Sequence, residues 1–117
     1  MNLRAFIAEF IGTFALIFVG VGAIASNFIN GGETGLVGIA LAHGLTIAVM
    51  VSATAAISGG HLNPAVTIGL FCAQKIDAVS TIGYVLAQCL GAITAAFLIN
   101  YASPLRPSAP LAWEPRL

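Results

Sequence analysis

Charged residues are scarce in this sequence. Of its 117 residues only 7% are Asp, Glu, Lys or Arg, and the four basic residues balance the four acidic ones. The chain therefore has no basic patch for nucleic acid and no polybasic cluster for anionic lipid headgroups. Hydrophobic residues make up 59% of the chain and its mean hydropathy is +1.02, well outside the range of soluble globular domains. This composition indicates a membrane protein.

Cysteine is also nearly absent. Cys72 and Cys89 are the two cysteines, and both lie in apolar stretches. Such residues are typical of small core side chains rather than of a disulfide or a zinc site. We therefore predict that both are core residues and that the chain holds no metal or other cofactor.

Three apolar stretches are long enough to cross a bilayer, which takes about 20 residues. They cover residues 5–28, 36–57 and 79–101, and they contain one acidic residue, Glu9, and one histidine, His43. The glycine-rich turn at residues 30–35 predicts that the first two are antiparallel neighbours. The fold class that we predict is an all-α membrane protein with three transmembrane helices.

The first apolar stretch has a second interpretation. Its basic start and the small residues at 23–26 are also typical of a cleaved secretory signal. Glu9 argues against cleavage, because a retained helix can bury a carboxyl group against a partner whereas a signal peptide disfavours it.

Small residues recur four apart in each of the three stretches. This spacing lets membrane helices approach closely, where lipid provides no hydrophobic drive for association. It predicts a tight bundle packed through three sets of residues: Ala8 and Gly12; Ala40, Gly44 and Ala48; and Ala87, Gly91 and Ala95.

The segment SGGHLNPAVT, residues 58–67, lies between the second and third stretches. Asn63 followed by Pro64 predicts a helix start, because Asn caps free backbone donors and Pro suits the first turn. The helix that follows, residues 64–73, would be about 15 Å long, or half a bilayer. We predict a re-entrant half-helix preceded by a non-helical limb, which survives at membrane depth only inside protein or along a water-filled cavity.

The predicted limb has the chemistry of a pore lining. The carbonyls of Gly59, Gly60, His61 and Leu62 would form a row of acceptors, and the Asn63 amide would donate a hydrogen bond. The N-terminus of the half-helix adds a partial positive charge, which disfavours cations. We therefore expect the permeants to be small, polar and uncharged.

Four segments together resemble the aquaporins of the major intrinsic protein family. They are AEFIGTF, GIALAHGLTI, SGGHLNPAVT and GYVLAQCLGA, which match the N-terminal half of the family in order. The resemblance implies that residues 1–101 are one of two inverted repeats, each with three spans and a half-helix, in a chain that forms tetramers. It also implies a channel for water and, in some members, for glycerol, urea or ammonia.

The resemblance assigns roles to particular residues. Asn63, Pro64 and Ala65 match the family's signature triplet, in which the asparagine donates to the permeant. Glu9 matches a buried glutamate that holds the re-entrant limb through backbone amides, and Gln88 a glutamine that packs nearby. From the residues alone, Glu9 is also a candidate for a proton relay.

Two histidines receive different expectations. His43 aligns with the second-span position of the family's narrow filter, where histidine resembles the plant vacuolar channels and predicts a wider, more hydrophilic constriction. The alternative for His43 is a hydrogen bond to a neighbouring helix. For His61 the resemblance implies that the backbone carbonyl, not the imidazole, contacts the permeant.

The chain departs from the family pattern after residue 101. Residues 102–117 form a polar tail with four prolines and two arginines, and no second Asn-Pro-Ala follows. We interpret the tail as a truncated or frameshifted end, or as a trimmed loop. A half-length chain leaves three routes open: a fragment that does not conduct, an antiparallel homodimer, or pairing with a separate second half.

Other classes of function are also open. The chain is alternatively an assembly or regulatory membrane subunit that joins intact channels. An intramembrane metal enzyme built on Glu9, His43 and His61 lacks any recognisable motif, so we expect no enzyme. By the resemblance we expect an integral protein of the plasma membrane with a cytoplasmic N-terminus.

Overall fold

Four α-helices make up the secondary structure of residues 2–103, the part of the chain that the computed structural model describes. Helix α1 covers Leu3–Ile29, α2 Gly35–Ser58, α3 Pro64–Cys72 and α4 Ala78–Ala102. Each predicted helix end lies within two residues of the observed one, and the all-α fold class is confirmed. The helices α1, α2 and α4 are long and apolar enough to cross a membrane. Of the predicted tail, only residues 102 and 103 fall within the described range.

Side-chain caps explain where α1, α3 and α4 begin, and the cap of α1 is the Asn2 side chain, which accepts from the Ala5 amide. The Asn63 side chain accepts a hydrogen bond from the Ala65 amide at 2.8 Å, with Pro64 in the first turn of α3, as the sequence predicts. Asp77 caps α4 by accepting from the Ser80 amide at 2.9 Å and from its hydroxyl at 2.6 Å. These bonds favour the ionised form, so they lower the pKa of Asp77.

Helix α1 occupies the centre of the arrangement. It packs against α2 on one side and α4 on the other, and α3 packs on α4. The turn between α1 and α2 is held by the Asn27 side chain, which accepts from the Gly35 amide at 2.8 Å. The prediction that the first two spans are neighbours is confirmed.

The small residues of α1 and α4 serve the predicted close packing. Ala8 and Gly12 of α1 and Ala95 of α4 are buried. At Gly91 the backbones approach so closely that a Cβ would lie 2.5 Å from the Phe10 carbonyl oxygen. Close approach of α1 and α4 therefore requires glycine at this position.

Helix α2 does not use its small residues in this way. Ala40, Gly44 and Ala48 are all exposed, and a Cβ at Gly44 would meet nothing within 4 Å. The prediction that all three helices pack through their small residues is therefore wrong for α2. Its contact with α1 runs along a different stripe, which includes His43.

Both cysteines are free and exposed. The prediction that they are core residues is therefore wrong for the described chain. Its physical reason is that each helix buries only a narrow stripe, so an apolar neighbourhood in the sequence does not indicate burial between helices. Exposed large apolar side chains are correspondingly abundant on α1, α2 and α4.

Candidate functional site

The limb between α2 and α3, residues 59–63, is held by the carboxyl group of Glu9. Glu9 lies on α1 and is 0% exposed. Its Oε1 accepts from the Ser58 hydroxyl at 2.6 Å and from the His61 amide at 2.9 Å. Its Oε2 accepts from the Leu62 amide at 2.6 Å and from the Gln88 side chain at 2.8 Å. These four donors use the lone-pair positions of the group, which therefore joins the limb to α1 and α4.

Thr67 continues this network into α3. Its buried hydroxyl lies 2.9 Å from Gln88 Nε2, 3.1 Å from His61 Nδ1 and 3.3 Å from the Asn63 carbonyl oxygen. A hydroxyl has one donor and two acceptor positions, so donation to Asn63 leaves it to accept from Gln88 and from His61. The Thr67 hydroxyl therefore joins the limb, α3 and α4 at one point.

Gln88 has a fixed orientation within the network. Its Nε2 must face the Glu9 carboxyl group, since the amide oxygen would repel it. The Gln88 Oε1 atom is consequently buried without a hydrogen-bond partner among the residues described.

Tyr84 supports the end of the limb from α4. Its hydroxyl donates to the Ser58 carbonyl oxygen at 2.7 Å. The Tyr84 ring meets the His61 ring edge to face, with centroids 5.0 Å apart. The imidazole of His61 is thus engaged by Thr67 and Tyr84.

Two glycines allow the chain to turn back after α2. Gly59 and Gly60 have φ of +91° and +64°, in the left-handed region that favours glycine. A Cβ at Gly60 would also lie 3.3 Å from the Val51 carbonyl oxygen. Within residues 2–103 the carbonyls of Gly59, Gly60 and His61 accept no hydrogen bond, so they are available to a ligand.

The carbonyl of Leu62 differs from the other three. It accepts a hydrogen bond from the Thr13 hydroxyl at 3.1 Å, and Leu62 is only 3% exposed. The Leu62 side chain rests on Gly12, where a methyl group would overlap its Cδ2 atom. The Leu62 carbonyl is therefore paired within residues 2–103, whereas the other three carbonyls of the predicted row are not.

Asn63 is exposed at the N-terminus of α3. Its Oδ1 caps the helix through the Ala65 amide, whereas its Nδ2 has no hydrogen-bond partner in the described part of the chain. Pro64 is half-buried and Ala65 is exposed. Three free carbonyls and a free amide donor thus lie in sequence along one segment.

His43 lies away from the limb, in the contact between α1 and α2. Its Nδ1 donates to the Ile39 carbonyl oxygen of its own helix at 2.8 Å. The opposite edge of the ring lies against Gly20 of α1, where a methyl group would overlap Nε2. The half-buried ring makes no hydrogen bond to α1 among the residues described, and its role as a filter residue stays a prediction.

Across residues 2–103 no group of three or more His, Cys, Asp or Glu side chains is placed to hold an ion. The carboxyl group of Glu9 is fully used by hydrogen-bond donors, so the groups that the limb leaves unpaired among the described residues are neutral carbonyls and the neutral side-chain amide of Asn63.

The sequence profile described as "Major intrinsic protein" matches residues 1–111. The chain belongs to the major intrinsic protein family. The matched region ends ten residues after the boundary that we predicted at residue 101.

Relatives of this major intrinsic protein occur in plants and bacteria. It is 52% identical over 93 residues to Aquaporin PIP2-7 of Arabidopsis thaliana, covering 77% of this chain and 33% of that protein. It is 50% identical over 107 residues to Aquaporin TIP2-3 of Zea mays, covering 87% and 43%. Aquaporin Z of Photorhabdus laumondii is 46% identical over 99 residues, covering 83% and 42%. The chain thus spans well under half the length of these relatives.

Sequence reasoning missed several side chains that hold the limb, namely Thr13, Ser58, Thr67 and Tyr84. Two of them carry a signal that points to the site. Thr13 lies four residues after Glu9 and Tyr84 four residues before Gln88, and residues four apart share a helix face. A polar residue on the same face as a buried carboxyl group is therefore a candidate member of its network.

Proposed function

We propose that residues 1–101 form one repeat of a membrane pore for water, and for small uncharged solutes such as glycerol, urea and ammonia. The observation that carries the proposal is the set of groups along the limb that are unpaired among the described residues. These groups are the backbone carbonyls of Gly59, Gly60 and His61 and the side-chain amide of Asn63. The aquaporin names of the relatives support it.

The chemistry of the limb suits water. Water entering the pore gives up hydrogen bonds to bulk solvent, and the three carbonyls replace its acceptors while Asn63 Nδ2 replaces a donor. Pro64 and Ala65 form the first turn of α3, whose helix dipole places a partial positive charge beside the permeant. Cations and protons are therefore disfavoured at the point where neutral molecules pass.

Glu9 and Gln88 act in this proposal as structural supports and not as a proton relay. The carboxyl group of Glu9 receives four hydrogen bonds that hold the limb, so a transferred proton would have to displace one of them. The ring of His43, held by the Ile39 carbonyl and packed on Gly20, borders the narrowest part of the pore in this proposal.

The surroundings of the pore follow from the same proposal. The repeat lies in the plasma membrane with its N-terminus and the loop after α3 in the cytoplasm. A second repeat completes the pore wall, and four pores assemble as a tetramer.

Replacing Asn63 with Asp tests the proposal. Asp retains the oxygen that caps α3 but removes the amide donor and adds a negative charge. In stopped-flow light scattering, proteoliposomes with the wild-type chain should shrink faster than empty vesicles. Asn63→Asp should lower the water permeability above that of empty vesicles by about tenfold.

Asn30→Asp is the matched control. Asn30 lies in the α1–α2 turn and also accepts from a backbone amide, that of Glu33, at 3.1 Å. The control should shrink like the wild type. Equal rates for Asn63→Asp and wild type would refute the role of Asn63, and wild-type vesicles no faster than empty ones would favour a non-conducting subunit.

A further inference from the structure

Leu62 has an unfavourable backbone conformation. Its φ is +53°, in the left-handed region that residues with a side chain seldom adopt, and it directly precedes Asn63. A conformation of this kind persists only when the surrounding structure holds it. The contacts of Leu62 therefore show what fixes the limb just before the permeant-binding amide.

The contacts of Glu9 do not reach the peptide group between Leu62 and Asn63. Glu9 accepts from the amides of His61 and Leu62, which belong to the two preceding peptide groups. Each peptide group is planar, but adjacent planes rotate about φ and ψ. The peptide plane that carries the Leu62 carbonyl and the Asn63 backbone amide thus needs a separate restraint.

Thr13 provides that restraint in the described structure. Its hydroxyl donates to the Leu62 carbonyl at 3.1 Å, and Thr13 is itself buried, with 4% exposure. The neighbouring Gly12 leaves the space into which the Leu62 side chain fits. Thr13 therefore holds the carbonyl of Leu62, and Gly12, the residue before it on α1, accommodates the Leu62 side chain.

We propose that Gly12 and Thr13 are a positioning pair, which holds Leu62 in its left-handed conformation. By fixing the backbone at Asn63, the pair directs the Asn63 side-chain amide toward the permeant. The pair also removes the Leu62 carbonyl from the row of acceptors, so that the row ends at His61. The proposal rests on the proposed function, because it assigns the permeant contact to Asn63.

The test compares Thr13→Val with Thr13→Ser and with a matched control. Valine keeps the shape of threonine and removes the hydroxyl, and serine restores the hydroxyl. Thr94→Val is the control, since Thr94 is exposed on α4 and donates only to the Leu90 carbonyl of its own helix, at 2.7 Å. If Thr13→Val does not accumulate, Thr13→Ala replaces it.

Two readouts are measured on the full chain in liposomes. The first is backbone amide hydrogen exchange at Leu62, whose buried amide donates to Glu9 at 2.6 Å. This exchange should rise about tenfold in Thr13→Val, return toward wild type in Thr13→Ser and stay unchanged in Thr94→Val. The second is water permeability per folded chain, which should fall about fivefold in Thr13→Val alone. A purely structural role would lower the folded fraction without changing permeability per folded chain.

The outcomes separate this proposal from the proposed function. Unchanged exchange at Leu62 in Thr13→Val, or a failure of Thr13→Ser to restore it, overturns the positioning pair. Altered exchange with unaltered permeability per folded chain overturns its link to the permeant. If the wild-type chain conducts no water, the proposed function fails, and the exchange readout still decides whether the pair holds the limb.

Discussion

At Glu9, a single buried carboxyl group joins α1 to the limb and to α4. Four donors converge on its two oxygens, two of them backbone amides of the limb. Hydrogen bonds to a charged acceptor are stronger than neutral ones, and a buried donor left without a partner is costly. Glu9 therefore contributes mainly to the stability of the site.

Replacing Glu9 with Gln should destabilise the protein. The Gln side chain would turn an amide group toward one pair of donors, so that at least one charge-assisted bond is lost. We expect the free energy of unfolding to fall by about 1.5–3 kcal/mol, measured by chemical denaturation in detergent. Glu33→Gln, at an exposed position in the α1–α2 turn, is the control and should change little. Unchanged stability together with a faster proton leak would instead favour the relay.

His43 is the residue with which we test solute selectivity. If its ring lines the constriction, His43→Phe removes a hydrogen-bonding edge and makes that point narrower and drier. Water should still pass, while glycerol, urea and ammonia lose permeability relative to water in stopped-flow measurements. Leu41→Phe adds an aromatic ring at an exposed position of the same helix and serves as the control. A ratio unaffected by His43→Phe would mean that the ring serves only the contact with Gly20.

The residues of the site were predictable from the sequence to different degrees. The structural roles of Asn63 and Pro64 can be predicted from the neighbouring residues, because a cap and an N1 proline act within one helical turn. The hydrogen bond from Thr13 to Leu62 joins residues 49 apart in the chain, and no local sequence pattern predicts it. The exposure of Cys72 and Cys89 was missed because hydropathy cannot distinguish a side chain that faces lipid from one that faces another helix.

At the scale of elements, α3 is too short to cross a bilayer. Its nine residues rise about 13 Å, less than half of the hydrocarbon thickness. A helix of this length that begins at membrane depth has to return to the side from which the limb entered. The α1–α2 turn and the loop after α3 should therefore lie on opposite sides of the membrane.

Cysteine labelling tests this topology. Glu33→Cys and Lys75→Cys place thiols at exposed positions of the two loops, in a background in which Cys72 and Cys89 are replaced by Ser. An impermeant thiol reagent applied to sealed, oriented vesicles should label one position from outside and the other only after permeabilisation. Labelling of both positions from the same side would mean that α3 crosses the membrane.

The contact between α1 and α4 depends on glycine at position 91. A Cβ there would meet the α1 backbone, including Phe14 N at 3.1 Å, and backbone cannot move aside as a side chain can. We expect Gly91→Ala to lower the free energy of unfolding by about 1–3 kcal/mol. Gly44→Ala, where a Cβ meets nothing, should instead be neutral or stabilising by up to about 1 kcal/mol. Equal effects of the two substitutions in detergent unfolding experiments would contradict this packing.

In the proposed function, the bundle of described helices supplies one side of a pore. Glu9, Gln88 and Thr67 anchor the limb on the bundle, and the Asn63 side chain is exposed beyond it. The chain spans 33–43% of the length of the three relatives compared above. We therefore propose that a second repeat supplies the opposite side of the pore.

The most direct test is the osmotic water permeability of liposomes as the number of chains per vesicle is varied. If two copies pair to complete the pore, permeability at low density should rise with about the second power of chain density and become linear once pairing saturates. Asn63→Asp at equal density provides the background. A linear rise from the lowest density would show that one chain conducts alone. No permeability above the background at any density, with the chain folded, would contradict the claim that the limb lines a water pore.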